Sequence, residues 1–121
     1  MAAPNLVNVA TITAKSVQAN LDTTLTTEIL ANASSSGKVF KVNAIIIANI
    51  DGTNAADASV AITKSGGSPI MIASTISVPA DATLVVIDKN SSIYLEEGDN
   101  IEAGAGANSD LTITISYEEL S

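Results

Sequence analysis

Apolar and polar residues alternate with period two along most of the chain, and turn-forming residues separate the alternating runs. Across residues 110–117, Leu111, Ile113, Ile115 and Tyr117 alternate with Thr112, Thr114 and Ser116. That pattern predicts a half-buried strand, apolar inward and hydroxylated outward. Ala58, Val60 and Ile62 alternate likewise with Ser59, Ala61 and Thr63, and Ile70, Ile72, Ile76 and Val78 share one parity. Ile93 and Leu95 form a shorter version. Two further segments, V-N-A-I-I-I-A-N-I over residues 42–50 and L-V-V-I over 84–87, are apolar on both faces. A strand covered on both sides reads this way, and so does a short buried helix. Stiff, β-branched Ile and Val favour the strand.

The punctuation is regular. Ser35-Ser36-Gly37, Asp51-Gly52-Thr53-Asn54, Ser65-Gly66-Gly67, Pro79-Ala80-Asp81, Asp88-Lys89-Asn90, Glu97-Gly98-Asp99 and Gly104-Ala105-Gly106 each read as turns. Such spacing predicts an all-β, antiparallel β-sandwich, jelly-roll-like, with about eight or nine short strands in two packed sheets. Over residues 20–30, Asp22 as a cap and Leu21, Leu25 and Ile29 at fourfold spacing suggest a helix. Thr23, Thr24, Thr26 and Thr27 favour a strand near 24–31 instead. Residues 1–8 read as an N-terminal arm and residues 9–121 as a single sandwich domain. Pro4 opposes helix in the arm, and Leu6, Val7 and Val9 are apolar residues that a lone arm would leave wet. Either Val7 and Val9 begin the first strand, or Pro4, Leu6, Val7 and Val9 form an interface with a neighbouring subunit.

Composition narrows the chemistry. The 121 residues include no Cys, His or Trp, and the five Lys+Arg are Lys15, Lys38, Lys41, Lys64 and Lys89, so Arg is absent too. Thiolate nucleophiles, disulfides, imidazole bases and bidentate guanidinium clamps are therefore excluded. A net charge of −8 argues against nucleic acid and anionic membrane surfaces as partners. No run of apolar residues is long enough for a membrane helix, and Met1-Ala2-Ala3-Pro4-Asn5 has neither the basic nor the apolar region of a signal peptide.

The remaining candidates for chemistry each have a simpler account. Glu96, Glu97, Asp99 and Glu102, with Asp110, and separately Asp51 to Asn54, offer oxygen ligands to calcium. Neither stretch has the D-x-D-x-D-G spacing, and solvated turn charge explains both. Carboxylate pairs for glycoside hydrolysis or sugar binding would need aromatic platforms, and only Phe40, Tyr94 and Tyr117 exist; these three are expected at the core or its edge. Lys64-Ser65-Gly66-Gly67-Ser68 lacks phosphate-loop spacing and sits where a hairpin turn is expected. No catalytic, cofactor or metal residues are assigned, and the chain is expected not to be an enzyme. The non-core positions carry Ala, Ser, Thr and Asn where Lys and Glu are usual, which fits either a Thr-rich β-surface or faces buried in an assembly.

Three groups of residues carry a family likeness. Thr23-Thr24-Leu25-Thr26-Thr27, Gly37-Lys38-Val39-Phe40-Lys41-Val42 and the run Ile45 to Ile50 with Ser65-Gly66-Gly67 form the first. Ile76-Ser77-Val78-Pro79-Ala80, Thr83-Leu84-Val85-Val86 and Tyr94-Leu95-Glu96-Glu97-Gly98-Asp99-Asn100-Ile101 form the second, and the ending from Asp110 to Glu119 is the third. Over about residues 20–119 the chain resembles the small β-sandwich virion structural proteins of tailed bacteriophages. The resemblance implies a non-enzymatic virion building block, a head decoration or cement protein on the outer surface of the capsid. It further implies no cofactor, a major capsid protein or other virion protein as partner, and a homo-oligomer with a trimer favoured. A neck, tail or fibre adaptor of the virion is the alternative. A carbohydrate- or receptor-binding module relying on Tyr94 or Tyr117 ranks third.

Overall fold

The computed structural model describes residues 6–25 and 27–121. Nine strands are present among them: β1 (Ile12–Asn20), β2 (Thr27–Ala31), β3 (Val39–Asn49), β4 (Ala56–Thr63), β5 (Ile70–Val78), β6 (Thr83–Ile87), β7 (Ile93–Leu95), β8 (Asn100–Ala105) and β9 (Leu111–Leu120). One sheet has the order β1-β9-β3-β6, with β7 also paired to β3, and the other has the order β2-β8-β4-β5. All pairs are antiparallel. The pairing of first with last, second with eighth, third with sixth and seventh, and fourth with fifth is that of a long hairpin wrapped into a jelly roll. β6 and β7 form one line broken by a 3-10 turn at Lys89–Ser91, which Asp88 caps by accepting from the Asn90 N–H at 2.9 Å.

Alternation decides which side chains enter the core. Leu111, Ile113 and Ile115 of β9 lie beside Val42, Ile45 and Ile47 of β3 and Leu95 of β7, and pack in one core with Ile101 and Ala103 of β8 and Ala58 and Val60 of β4. In β3 the register shifts between Val42 and Ala44, so an extra residue, Asn43, lets both Val42 and Ile45 point inward. The outward row, Ala44, Ile46 and Ala48, is only half-buried, and Val85 of β6 is 56% exposed. These strands are thus covered on one face, and the sequence pattern had suggested two. Phe40 is buried with its ring 5.1 Å from that of Tyr117, closing one end of the core. Tyr94 differs from expectation: it lies on the outward side of β7 and is 44% exposed.

Several boundaries move for local reasons. The first strand opens at Ile12, so Val7 and Val9 do not begin it; Leu6–Asn8 form a 3-10 turn, and the Ala10 and Thr11 N–H groups both donate to the Ser121 carbonyl. β2 starts at Thr27, after a loop crossing the sheet at Leu25. Gly104 belongs to β8 and not to a turn, because that loop passes so close that a Cβ there would lie 2.9 Å from the Leu25 Cα. In β5 the single apolar parity fails. Register shifts opposite Ala58–Val60 and Val60–Ala61 put Ala73 against Val60 and leave Ile72 outside the β4 register, while Ile76, opposite Ala58, is exposed at the sheet edge.

Two buried asparagines tie the sheets together. Asn49, at the end of β3, donates to the carbonyls of Asn54 (3.0 Å) and of Val78 in β5 (2.9 Å), and accepts from the Asp51 N–H (2.9 Å). Asn32, just past β2, donates to the Lys38 (2.8 Å) and Leu95 (3.1 Å) carbonyls and accepts from the Ser36 hydroxyl (2.6 Å). Each side chain satisfies groups on both sheets or their connections that would otherwise be buried without a partner. Replacing Asn49→Ala strands two carbonyls and one N–H, and is expected to cost about 2–4 kcal/mol in urea-induced unfolding. Thr114→Ala, on the outward row of β9, is expected to cost under about 1 kcal/mol.

Candidate interaction surface

The acidic residues singled out by the sequence are placed mainly at one end of the sandwich, and most have internal partners. Asp99 is buried in the β7–β8 turn; its Oδ2 accepts from Lys64 Nζ at 2.5 Å and from the Glu96 N–H at 2.8 Å, and its Oδ1 accepts from the Ser65 N–H at 3.0 Å. Lys64 Nζ also reaches Glu96 at 2.5 Å. The β7–β8 turn is thus clamped to the β4–β5 turn, where the Gly67 N–H donates to the Lys64 carbonyl, so Lys64 to Ser68 form a hairpin connection. Gly98, at φ +86°, is required here, since a Cβ would lie 2.7 Å from the Ser65 Cβ. Glu97 accepts from the Gly37 N–H at 2.9 Å, and Asp51 accepts from the Thr53 and Asn54 N–H groups at 2.8 and 3.2 Å. Glu102 accepts from the Thr63 hydroxyl and stands directly opposite Glu28. Among the described residues, no three acidic side chains converge as a metal site would need.

A second cluster lies at the same end, where Phe40 of β3 pairs with Leu95 on one side and Glu119 on the other. Glu119 holds Lys15 at 2.5 Å and Lys38 at 2.8 Å, joining β1, β9 and the approach to β3. Hydrogen bonds from Lys15 and then Lys38 hold the Glu119 carboxyl below its ordinary value against the opposing effect of burial. For Asp99, burial alone would raise the value, but Lys64 and the two backbone N–H groups outweigh it and the net shift is downward. Lys64 is raised, chiefly by its bonds to Asp99 and then Glu96.

The hollows are small or open. The deeper, about 230 Å³, lies under the β1–β2 loop among Thr23, Leu25, Asp57, Ser59, Thr75 and Gly104–Gly106. That is below the usual 300 Å³ or more of a small-molecule site. Tyr94 and Tyr117 project from opposite faces of their sheet, so they form no common platform. Of the arm residues, Val7 is 88% exposed and Val9 half-buried; Pro4 and the side chain of Leu6 lie outside the described residues.

What sequence reading missed is how charge divides between the two outer walls. On the outward side of the β2-β8-β4-β5 sheet Glu28 and Asp57 are exposed, and Glu102 lies beside Glu28 but is itself buried. Across the middle of the other sheet, register aligns Gln18, Thr114, Ile46 and Val85, flanked by Ser16, Ser116 and Ala44 and by Asn20, Thr112, Ala48 and Thr83. No charge falls among these positions; Lys41 and Glu118 come only at the end of the wall. A neutral wall on a chain of net charge −8 has no long ionic side chains to desolvate when another surface covers it. The separation was available in principle from the period-two pattern, but it needed the strand order. Comparison of the chain with protein-family models and with curated proteins finds no match to either.

The ion clusters predict a pH profile. Asp99 and Glu119 are depressed, so their stabilisation is complete above the ordinary carboxylate values of 3.8 and 4.5 and is lost as pH falls through the lower folded values. Lys64 is raised above 10.5, so its share is present below that pH and lost as pH rises through the folded value. Melting temperature is expected to be level near neutrality and to fall at both extremes. Asp99→Asn should lower the plateau and flatten the acid limb.

Proposed function

We propose that this protein is a non-enzymatic structural subunit of a tailed-phage virion, a capsid decoration or cement protein that lies on the head shell and stabilises it. The observation that carries the reading is the neutral wall of the five-stranded sheet, set on a jelly-roll sandwich whose carboxylates are largely engaged with internal partners. A cement subunit must be soluble alone, must cover part of a repeating lattice and must not react with it. A rigid aliphatic core supplies the first and third of these properties. The wall supplies a surface whose burial costs little ion desolvation, while the acidic opposite wall faces outward and limits clumping of particles. Repetition over a lattice turns modest contacts into firm attachment through effective concentration.

The same wall would serve a neck, tail or fibre adaptor, and copy number separates the two. Quantitative mass spectrometry of purified parent particles is expected to find this chain in numbers comparable with the major shell protein. A handful of copies per particle would retire the cement reading in favour of the adaptor, and absence from particles would retire both. Thr114→Arg, placing a cation in the middle of the wall, is expected to weaken particle binding at least tenfold in a cosedimentation assay while leaving the melting temperature within a few degrees of wild type.

A further inference from the structure

β5 is a long edge strand with unusual chemistry for an edge. It ends the four-stranded sheet, and β6 of the other sheet runs beside it along the same side of the sandwich. Edges are ordinarily guarded by lysine, glutamate or proline, because a free apolar edge invites association. Here Ile70 is 65% exposed, Met71 38%, Ile72 37% and Ile76 40%. The two register shifts put Ala73 against Val60 in the core and leave Ile72 outside the β4 register, while Ile70 and Ile76, opposite Ile62 and Ala58, stay exposed because β5 ends the sheet. Thr75 sits within the shift opposite Ala58–Val60 at φ +46°, a costly conformation for a β-branched residue, with its N–H on the Ser59 hydroxyl at 2.9 Å. The edge is therefore bent, which opposes continuous strand addition but presents a ridge of side chains.

Charge identifies the occupant. Residues 65–80 contain no charged side chain, and this is the longest uncharged stretch of the chain. A basic partner would be met best by the carboxylates that the molecule carries elsewhere. A second copy, itself at −8, meets least repulsion where neither side presents them, as along the Ile70–Ile72 end of this strand. We infer that β5 is a copy-to-copy contact, in which a second molecule of this chain packs edge-on against Ile70, Ile72 and Ile76. The inference rests on the building-block reading only in that copies of the chain meet one another. Size sets its strength: an interface of standard area uses about 20–30 residues a side, and residues 65–80 with the adjoining β6 strand reach only the low end of that. The contact is weak in free solution and becomes firm when copies are held side by side on a lattice.

Sedimentation velocity of the full chain from about 10 μM to about 1 mM tests this. Wild type is expected to gain weight-average mass with concentration, and the double variant Ile70→Glu/Ile72→Glu to need at least tenfold higher concentration for the same mass. Ile50→Glu, an exposed isoleucine in the β3–β4 connection, is expected to follow wild type. Far-UV circular dichroism establishes that each variant is folded, and Ile70→Glu alone, at the most exposed of the three positions, serves if the double variant is not. A wild type that stays monomeric throughout, or a β5 variant that associates as wild type does, overturns the proposal. Neither result bears on copy number in particles, which tests the functional reading separately.

Discussion

Every other feature of this protein depends on keeping inward parity along nine strands with almost no aromatic side chains to fill space. The core is built from Ile, Leu, Val and Ala, with Phe40 and Tyr117 at one end. Small aliphatic side chains fill a sandwich only if each inward position is occupied, since a gap the size of a methyl group already costs about 1 kcal/mol. The bulge at Asn43 follows from that requirement, because without it Ile45 would point outward. Asn32 and Asn49 follow as well. Where strands leave the sheets, buried carbonyls need donors, and two amides supply them.

The fold was legible to the extent that alternation survives in the local sequence. Residues 110–117 named their own strand, and the regular turn signals indicated a sandwich with its approximate strand number. Legibility ended where tertiary geometry overrode the local pattern. Ile70, Ile72, Ile76 and Val78 look like one buried face, yet β5 is a twice-shifted edge strand and three of the four are exposed. Gly104 looks like a turn residue, but its missing side chain admits the β1–β2 loop onto β8. Tyr94 looks like an anchor, and its parity in a three-residue strand turns it outward. The partners of Asp99 and Glu119 could not be read at all, because Lys64 and Lys15 lie far from them in sequence and are brought together only by strand order.

The same geometry sorts charge without any added device. Ionic residues fall mostly in turns at the ends of the sandwich and on one outer wall, leaving the middle of the other wall and the β5 edge neutral. The end clusters stitch together elements distant in sequence, and the neutral surfaces are where covering costs least. In the proposed account these two roles divide the molecule, with one set of residues holding the subunit in shape and the other holding it in place. The charge-sorted jelly roll is the observation on which that account stands.

Hydroxyl-radical footprinting of the protein free and bound to particles tests the central claim most directly, since it reads side-chain exposure at each position. The account predicts that Ile46 and Val85, on the neutral wall, lose labelling on binding while Ile50 keeps it. Unchanged labelling of Ile46 and Val85, with protection appearing instead on the wall that carries Glu28, Asp57 and Glu102, would contradict it.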